Sequence, residues 1–406
     1  MRCILCDASG SPSFQRIGAF PIPVSSQIRT EDEGAPALRL VGARALFDLH
    51  TEPAEISIVG GRIAASGGRD VDLSGCLLLP GIVDLHGDAF DRHVAPRRGM
   101  VRTPADGLPM LSSELAACGI TTAYLAQFWS WEGGMRSPDF AKALAHALAD
   151  WRGDVDLRMQ LRIETHMIAD FNAIARFVRK AGIDYVVFND HLPHAALARE
   201  VIPQRLTGAA LRAKRSPEAH LRLIRTLAAN APQVPVALAR LIAELPPIRL
   251  GSHDDTSATV RETFAGMGVA IAEFPLVPEA AHGVAQGAVI LGAPNVVRGR
   301  SHGRGPSAID LIGQGKCTAL TSDYHYPAPL QAVHRLVAGG MALGQAWSYV
   351  SANPARLMGL SDRGKIAIGA RADLVVLNAD NLSLMATFAA GRPVWMHPDM
   401  ATRLLR

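Results

Sequence analysis

Histidine, aspartate and glutamate recur in this chain at one kind of place, immediately after a short apolar run. "LLLPGIVDLH" delivers His86, with Asp88 two residues on; "LRMQLRIE" ends in Glu164 with His166 nearby. "IDYVVFND" ends in Asp190 and is followed by His191, "IRLGSH" ends in His253 before Asp254 and Asp255, and "CTALTS" is followed by Asp323. Residues two apart in an extended strand share a face, so His86 and Asp88 are expected to point the same way. Imidazole and carboxylate are the donors that bind zinc, manganese and iron. A single acid or histidine after a strand is commonly a helix cap or a solvated loop residue. Five strand ends with the same bias argue for one shared metal site. His166, His194 and Asp255 carry no definite role at this level.

Two glycine-rich basic loops lie close to those ends. "DRHVAPRRGM" carries Arg92, His93, Arg97 and Arg98, and "APNVVRGRSHGRGPSA" carries Arg298, Arg300, His302 and Arg304. Glycine lets backbone N–H groups approach an anion, and guanidinium forks bind phosphate oxygens in pairs. Both loops are therefore candidates for a phosphate cradle, although exposed loops collect arginine in any arginine-rich chain. "LRAKRSP", around Lys214 and Arg215, reads as a solvated basic turn.

The elements that must present these residues are readable from periodicity. About eight β-like runs, from "CLLLPGIVDLH" to "CTALTSD", alternate with helical stretches such as "SPDFAKALAHALADWR". That alternation implies a mainly parallel sheet, and eight units imply a closed (β/α)8 barrel of the TIM type, whose chemistry gathers at the C-terminal strand ends. An open doubly wound sheet is the alternative, but no GxGxxG joins a strand to a helix. Short strands joined by glycine turns precede and follow this region. Residues 37–75 and 364–406 are expected to build one small β-sandwich domain, 76–363 the barrel, and 1–36 a poorly structured leader.

Composition narrows the function classes. With 406 residues, a net charge of +4 and no apolar run near the ~20 residues that span a bilayer, the chain reads as globular and not as a membrane protein. Its five cysteines, Cys3, Cys6, Cys76, Cys118 and Cys317, form no disulfide framework, which fits a reducing cytoplasm. The basic residues lack interleaved aromatics, so a nucleic-acid partner is not expected. The expected partner is a small phosphorylated molecule, and a homo-oligomer formed through the outer helices is compatible with the pattern.

"LLPGIVDLH", the isolated strand-end histidines, the late Asp323 and the closing "NPARLMGLSDRGKIAIGARADLVVLN" resemble the amidohydrolase superfamily from Ala37 onward. Within it, "HGDAFDRHVAPRRG", "NDHLPH", "GSHDDTS", "AEFP", "LGAPNVVRGRSH" and "SDYHYPAPL" resemble the α-D-ribose 1-methylphosphonate 5-triphosphate diphosphatases of phosphonate metabolism. The resemblance implies one or two divalent ions, zinc first and manganese or iron as alternatives. It implies that His86 and Asp88 replace the usual His-x-His pair and that Glu164 bridges. It further implies that His191 and His253 bind the second ion, and that Asp323 contacts metal and serves the attacking water. None of the five lysines stands at a suitable strand end, which also favours Glu164 as the anionic bridge. Gly87, Ala89, Phe90 and the "LPHA" after His191 depart from the diphosphatase pattern. A branch acting on another phosphorylated sugar, on a cyclic amide or on an N-acyl group is therefore the alternative. A non-catalytic relative would be marked by loss of the strand-end donors.

Overall fold

The computed structural model describes residues 35–97, 99–281, 287–301 and 305–405. The leader expected over 1–36 falls almost wholly outside them, as do Arg98, His302 and Arg304.

Both ends of the chain contribute to one mixed sheet. Strands β1 (Leu38–Phe47), β2 (His50–Val59), β3 (Arg62–Ala64), β4 (Arg69–Asp72) and β5 (Cys76–Pro80) come from the N-terminal side. β5 pairs in parallel with β1 and antiparallel with a C-terminal strand, Leu374–Asn378. "CLLLP", grouped in the sequence with the first barrel strand, thus belongs to the terminal sheet, and the run divides at Gly81. A side chain at Gly81 would collide with Thr121, so the two sheets meet at a residue that only glycine can fill.

The barrel follows as β6 (Ile82–Gly87), β7 (Ile120–Trp129), β8 (Asp156–Glu164), β9 (Tyr185–Asn189), β10 (Arg249–His253), β11 (Ile271–Glu273), β12 (Ala288–Gly292) and β13 (Ala319–Thr321). These are the eight runs expected from the sequence, in sequential order and parallel throughout. A parallel bridge between Gly87 and Asp323 joins the first strand to the end of the last. The C-terminal strands β14 (Leu374–Asn378), β15 (Leu384–Ala389) and β16 (Arg392–Met396) complete the terminal sheet.

Helices begin where the sequence supplies caps. Ser137, Ser216, Ser257 and Ser307 each accept an N–H bond from three residues on. Thr103 and Asp106 form a reciprocal capping box at the helix Pro104–Ala117.

β8 shows how the barrel divides its two faces. Leu157, Met159, Leu161 and Ile163 join the core between barrel and helices. The alternate residues Gln160, Arg162 and Glu164 form a buried polar column. Below the upper part of that column, Val83, Leu85, Tyr124, Tyr185, Val187, Ile271 and Ile290 form a separate apolar cluster. Polar side chains are thereby concentrated toward the C-terminal ends of the strands.

Candidate metal centre

His86 and Asp88 face one site, as their spacing implies: His86 Nε2 lies 3.5 Å from Asp88 Oδ1. Asp323 joins them because the barrel closes there. Its N–H donates to the His86 carbonyl at 2.9 Å, and its carbonyl accepts the Asp88 N–H at 2.7 Å. One donor atom from each of His86, Asp88 and Asp323 falls within 4.8 Å of the other two. Asp323 and Asp254 both adopt left-handed backbone, with φ of 55° and 60°. Aspartate tolerates that region better than most residues, and such conformations concentrate at functional sites.

The opposite ring nitrogen of His86 is held by a residue that the sequence reading left without a role. Glu273, at the end of β11, lies 2.8 Å from His86 Nδ1 through Oε2. Its other oxygen accepts from Gln160 at 2.8 Å and from the Tyr185 hydroxyl at 2.5 Å. Burial opposes the charged form of His86, but the charges of Glu273 and Asp88 outweigh it, and its pKa is pushed up to about 10. A carboxylate behind a histidine fixes the ring's orientation and the tautomer it presents to the site.

A second group forms where β8 and β9 end. Glu164 Oε1 lies 2.5 Å from His191 Nδ1, and Oε2 accepts the His191 backbone N–H at 3.1 Å and the Trp131 indole N–H at 3.3 Å. Glu132, Glu164 and His191 form a candidate donor cluster distinct from that of His86, Asp88 and Asp323. Burial resists ionisation of both partners, yet their mutual contact lowers the Glu164 pKa and raises that of His191.

Between the groups lies Arg162, a second residue without a role in the sequence reading. Its guanidinium donates to Asp88 Oδ1 at 3.3 Å and to Asn189 Oδ1 at 3.3 Å. It lies 3.4 Å from His86 Nε2 and 3.0 Å from His253 Nε2, and stacks 4.0 Å from the Phe128 ring centroid. His253 is pushed down to about 4, first by burial and then by this guanidinium. Asp88 is held far below the usual carboxylate range despite its burial, by Arg162 and His86. His253 Nε2 therefore faces Arg162, and His253 Nδ1 lies 3.1 Å from Asp254 Oδ2.

The donor chemistry of both clusters fits a divalent ion. His86, Asp88 and Asp323 combine one imidazole with two carboxylates, and Glu132, Glu164 and His191 do the same. A permanent guanidinium at the meeting point supplies a fixed positive charge that no change of pH near neutrality removes.

Beside this centre opens a cavity of about 1210 Å³, lined in part by Asp88, Arg92, His191 and Tyr324. Arg136, Arg205 and Arg212 also line it; the first two have no role in the sequence reading, and Arg212 belongs to the "LRAKRSP" turn expected to be merely solvated. Of the expected cradle residues, Arg92 lines this cavity and pairs with Glu114, and His93 pairs with the same carboxylate. Arg298 reaches it through the Tyr324 hydroxyl. Arg97 donates to the Arg92 carbonyl at 3.2 Å, and Arg300 is exposed. The turn around Arg215 is more than a solvated surface, because Arg215 Nη1 donates to the Trp131 carbonyl at 2.6 Å.

Among the described residues no helix is long and apolar enough to cross a membrane. Residues 310–393 match the model of the amidohydrolase family. The chain is 31% identical over 326 residues to the α-D-ribose 1-methylphosphonate 5-triphosphate diphosphatase of Escherichia coli strain K12, covering 75% of this chain and 84% of that one. Among solved structures, molinate hydrolase superposes with a TM-score of 0.60 at 14% identity, covering 92% of this chain and 96% of that one. The N-acetylglucosamine-6-phosphate deacetylase of Pasteurella multocida superposes with a TM-score of 0.57 at 10% identity, covering 89% and 100%. These two show the shared fold. With a parallel barrel that gathers imidazoles and carboxylates at its strand ends, a sheet built from both termini, and a curated relative matched over most of its length, the chain belongs to the amidohydrolase superfamily.

Proposed function

We propose that this hydrolase releases diphosphate from α-D-ribose 1-methylphosphonate 5-triphosphate, or from a closely related ribose triphosphate. The match to the E. coli diphosphatase over 84% of its length is the observation that carries this reading. The arginine-lined cavity beside the donor clusters supports it, because Arg92, Arg136, Arg205 and Arg212 suit a polyanion better than a small neutral amide. One or two divalent ions, zinc for preference, would be held by His86, Asp88 and Asp323 and by Glu164 with His191 and His253. A bound divalent ion supplies Lewis acidity and lowers the pKa of water from about 15.7 to roughly 7.

The chain's own groups divide the remaining work. Asp323 is the base that takes the proton of the attacking water. Glu273 fixes the His86 ring from behind. Arg162 adds positive charge next to Asp88, where negative charge grows on the phosphoryl oxygens as the anhydride bond breaks. Water adds to phosphorus, the anhydride oxygen leaves with diphosphate, and a ribose 5-phosphate ester remains. The reaction is tested by measuring diphosphate release from the phosphonate triphosphate, with nucleoside triphosphates and cyclic amides alongside. Turnover confined to the phosphonate substrate is expected, and turnover of amides alone would reject the reading.

A further inference from the structure

A third group of donors lies outside the centre just described. His166 stands two residues beyond β8, Asp190 directly follows β9, and His194 opens the short helix His194–Ala198. Asp190 lies between the two imidazoles, its Oδ2 2.7 Å from His194 Nε2 and its Oδ1 3.6 Å from His166 Nδ1. The two rings are 5.3 Å apart between centroids. One donor atom from each residue falls within 4.8 Å of the others.

The positions are held by structure on both sides. The His166 carbonyl accepts from Asn230 Nδ2 at 3.2 Å, and the residue is 4% exposed. Asp190 Oδ1 accepts the Leu192 N–H at 3.1 Å. Three donors around an ion with bonds of about 2.0–2.1 Å stand roughly 3.3 Å apart. The 3.6 Å from His166 Nδ1 to Asp190 is close to that spacing, and the same nitrogen lies 3.3 Å from the Thr165 hydroxyl. Two histidines and one carboxylate also make a set that leaves coordination positions open. All three residues line a cavity of about 1130 Å³, which His253 and Asp254 line as well.

We propose that His166, Asp190 and His194 form an additional divalent transition-metal site on the barrel rim, separate from the central donors and open to the cavity that it shares with His253 and Asp254. The set does not depend on the substrate proposed above, so its test counts ions and does not measure turnover. The full chain, stripped of metal and dialysed against buffered zinc, is assayed for bound ions per chain. His194→Ala, at a half-exposed side chain, is expected to bind one ion fewer than the wild type, and His166→Ala likewise. His86→Ala is expected to retain the rim ion, and cobalt in that variant to show a ligand-field spectrum that His194→Ala removes. Unchanged stoichiometry and affinity in His194→Ala, or loss of all metal in His86→Ala, would overturn the site.

Discussion

Arg162 donates to His253 Nε2 across 3.0 Å while the same guanidinium reaches Asp88 at 3.3 Å. One cation therefore ties the ends of β6 and β10 together through the middle of the barrel. Arg162→Gln keeps an amide donor but loses the charge and the fork. Its expected cost is on the order of 10² in kcat, the usual range for one preorganised electrostatic donor. Metal content and circular dichroism measured alongside should stay near wild type, and a kcat within twofold would rule out an electrostatic role.

Asp323 closes the barrel through its backbone and faces the site through its carboxylate. Asp323→Asn preserves the backbone bonds, so the fold should persist. Turnover is expected to fall by about 10²–10⁴, the contribution of a positioned general base. A folded, metal-loaded variant with full activity would remove Asp323 from that role.

Arg205 and Arg212 reach the cavity from the excursion between β9 and β10. Replacing either by Ala should raise KM for a triphosphate about tenfold, the equivalent of roughly 1.4 kcal/mol. The monophosphorylated product, which lacks the diphosphate, should be affected less. Equal KM values for wild type and both variants, measured at low and high salt, would show that the cavity does not bind the polyphosphate.

Asp156 lies at the start of β8, 2.6 Å from Arg363 and 3.0 Å from Arg158. Burial raises its pKa, but the two guanidiniums overcome that effect and bring it down to about 2. A folded-state pKa below the unfolded value means stability that is present above pH ~4 and is lost as the pH falls toward 2, about 2 kcal/mol in all. Asp156→Asn should therefore be less stable than wild type in urea at pH 7. The gap should shrink between pH 4 and 2, and a constant gap would refute the linkage.

Much of this architecture was legible because apolar runs end abruptly in histidine or acid. That signal marked the positions of His86, Glu164, His191, His253 and Asp323 at five strand ends, and the alternation of β-like runs with helical stretches located all eight barrel strands. Arg162 and Glu273 were hidden for a physical reason. Arg162 lies inside β8, and "RIE" reads the same whether its charge faces the barrel axis or solvent; Glu273 ends β11 just as Glu164 ends β8, but its place behind the His86 ring is set by the closure of the barrel and not by local spacing. Arg136, Arg205 and Arg212 belong to connecting segments whose path over the rim is set by tertiary packing, so no local spacing could bring them to one cavity. The strand β5 was merged with β6 because periodicity does not register that a chain has crossed from one sheet to another at Gly81.

The bridge between Gly87 and Asp323 also sets an order of events during synthesis. His86 and Asp88 leave the ribosome early, yet their partner lies more than 200 residues later in the chain. A nascent or truncated chain that ends before β13 holds His86 and Asp88 without the Asp323 carboxylate. Contacts this distant in sequence form late and slowly. Hydrolytic competence should therefore arrive as a single late step on the folding pathway, and a fragment interrupted within the barrel would lack hydrolytic activity.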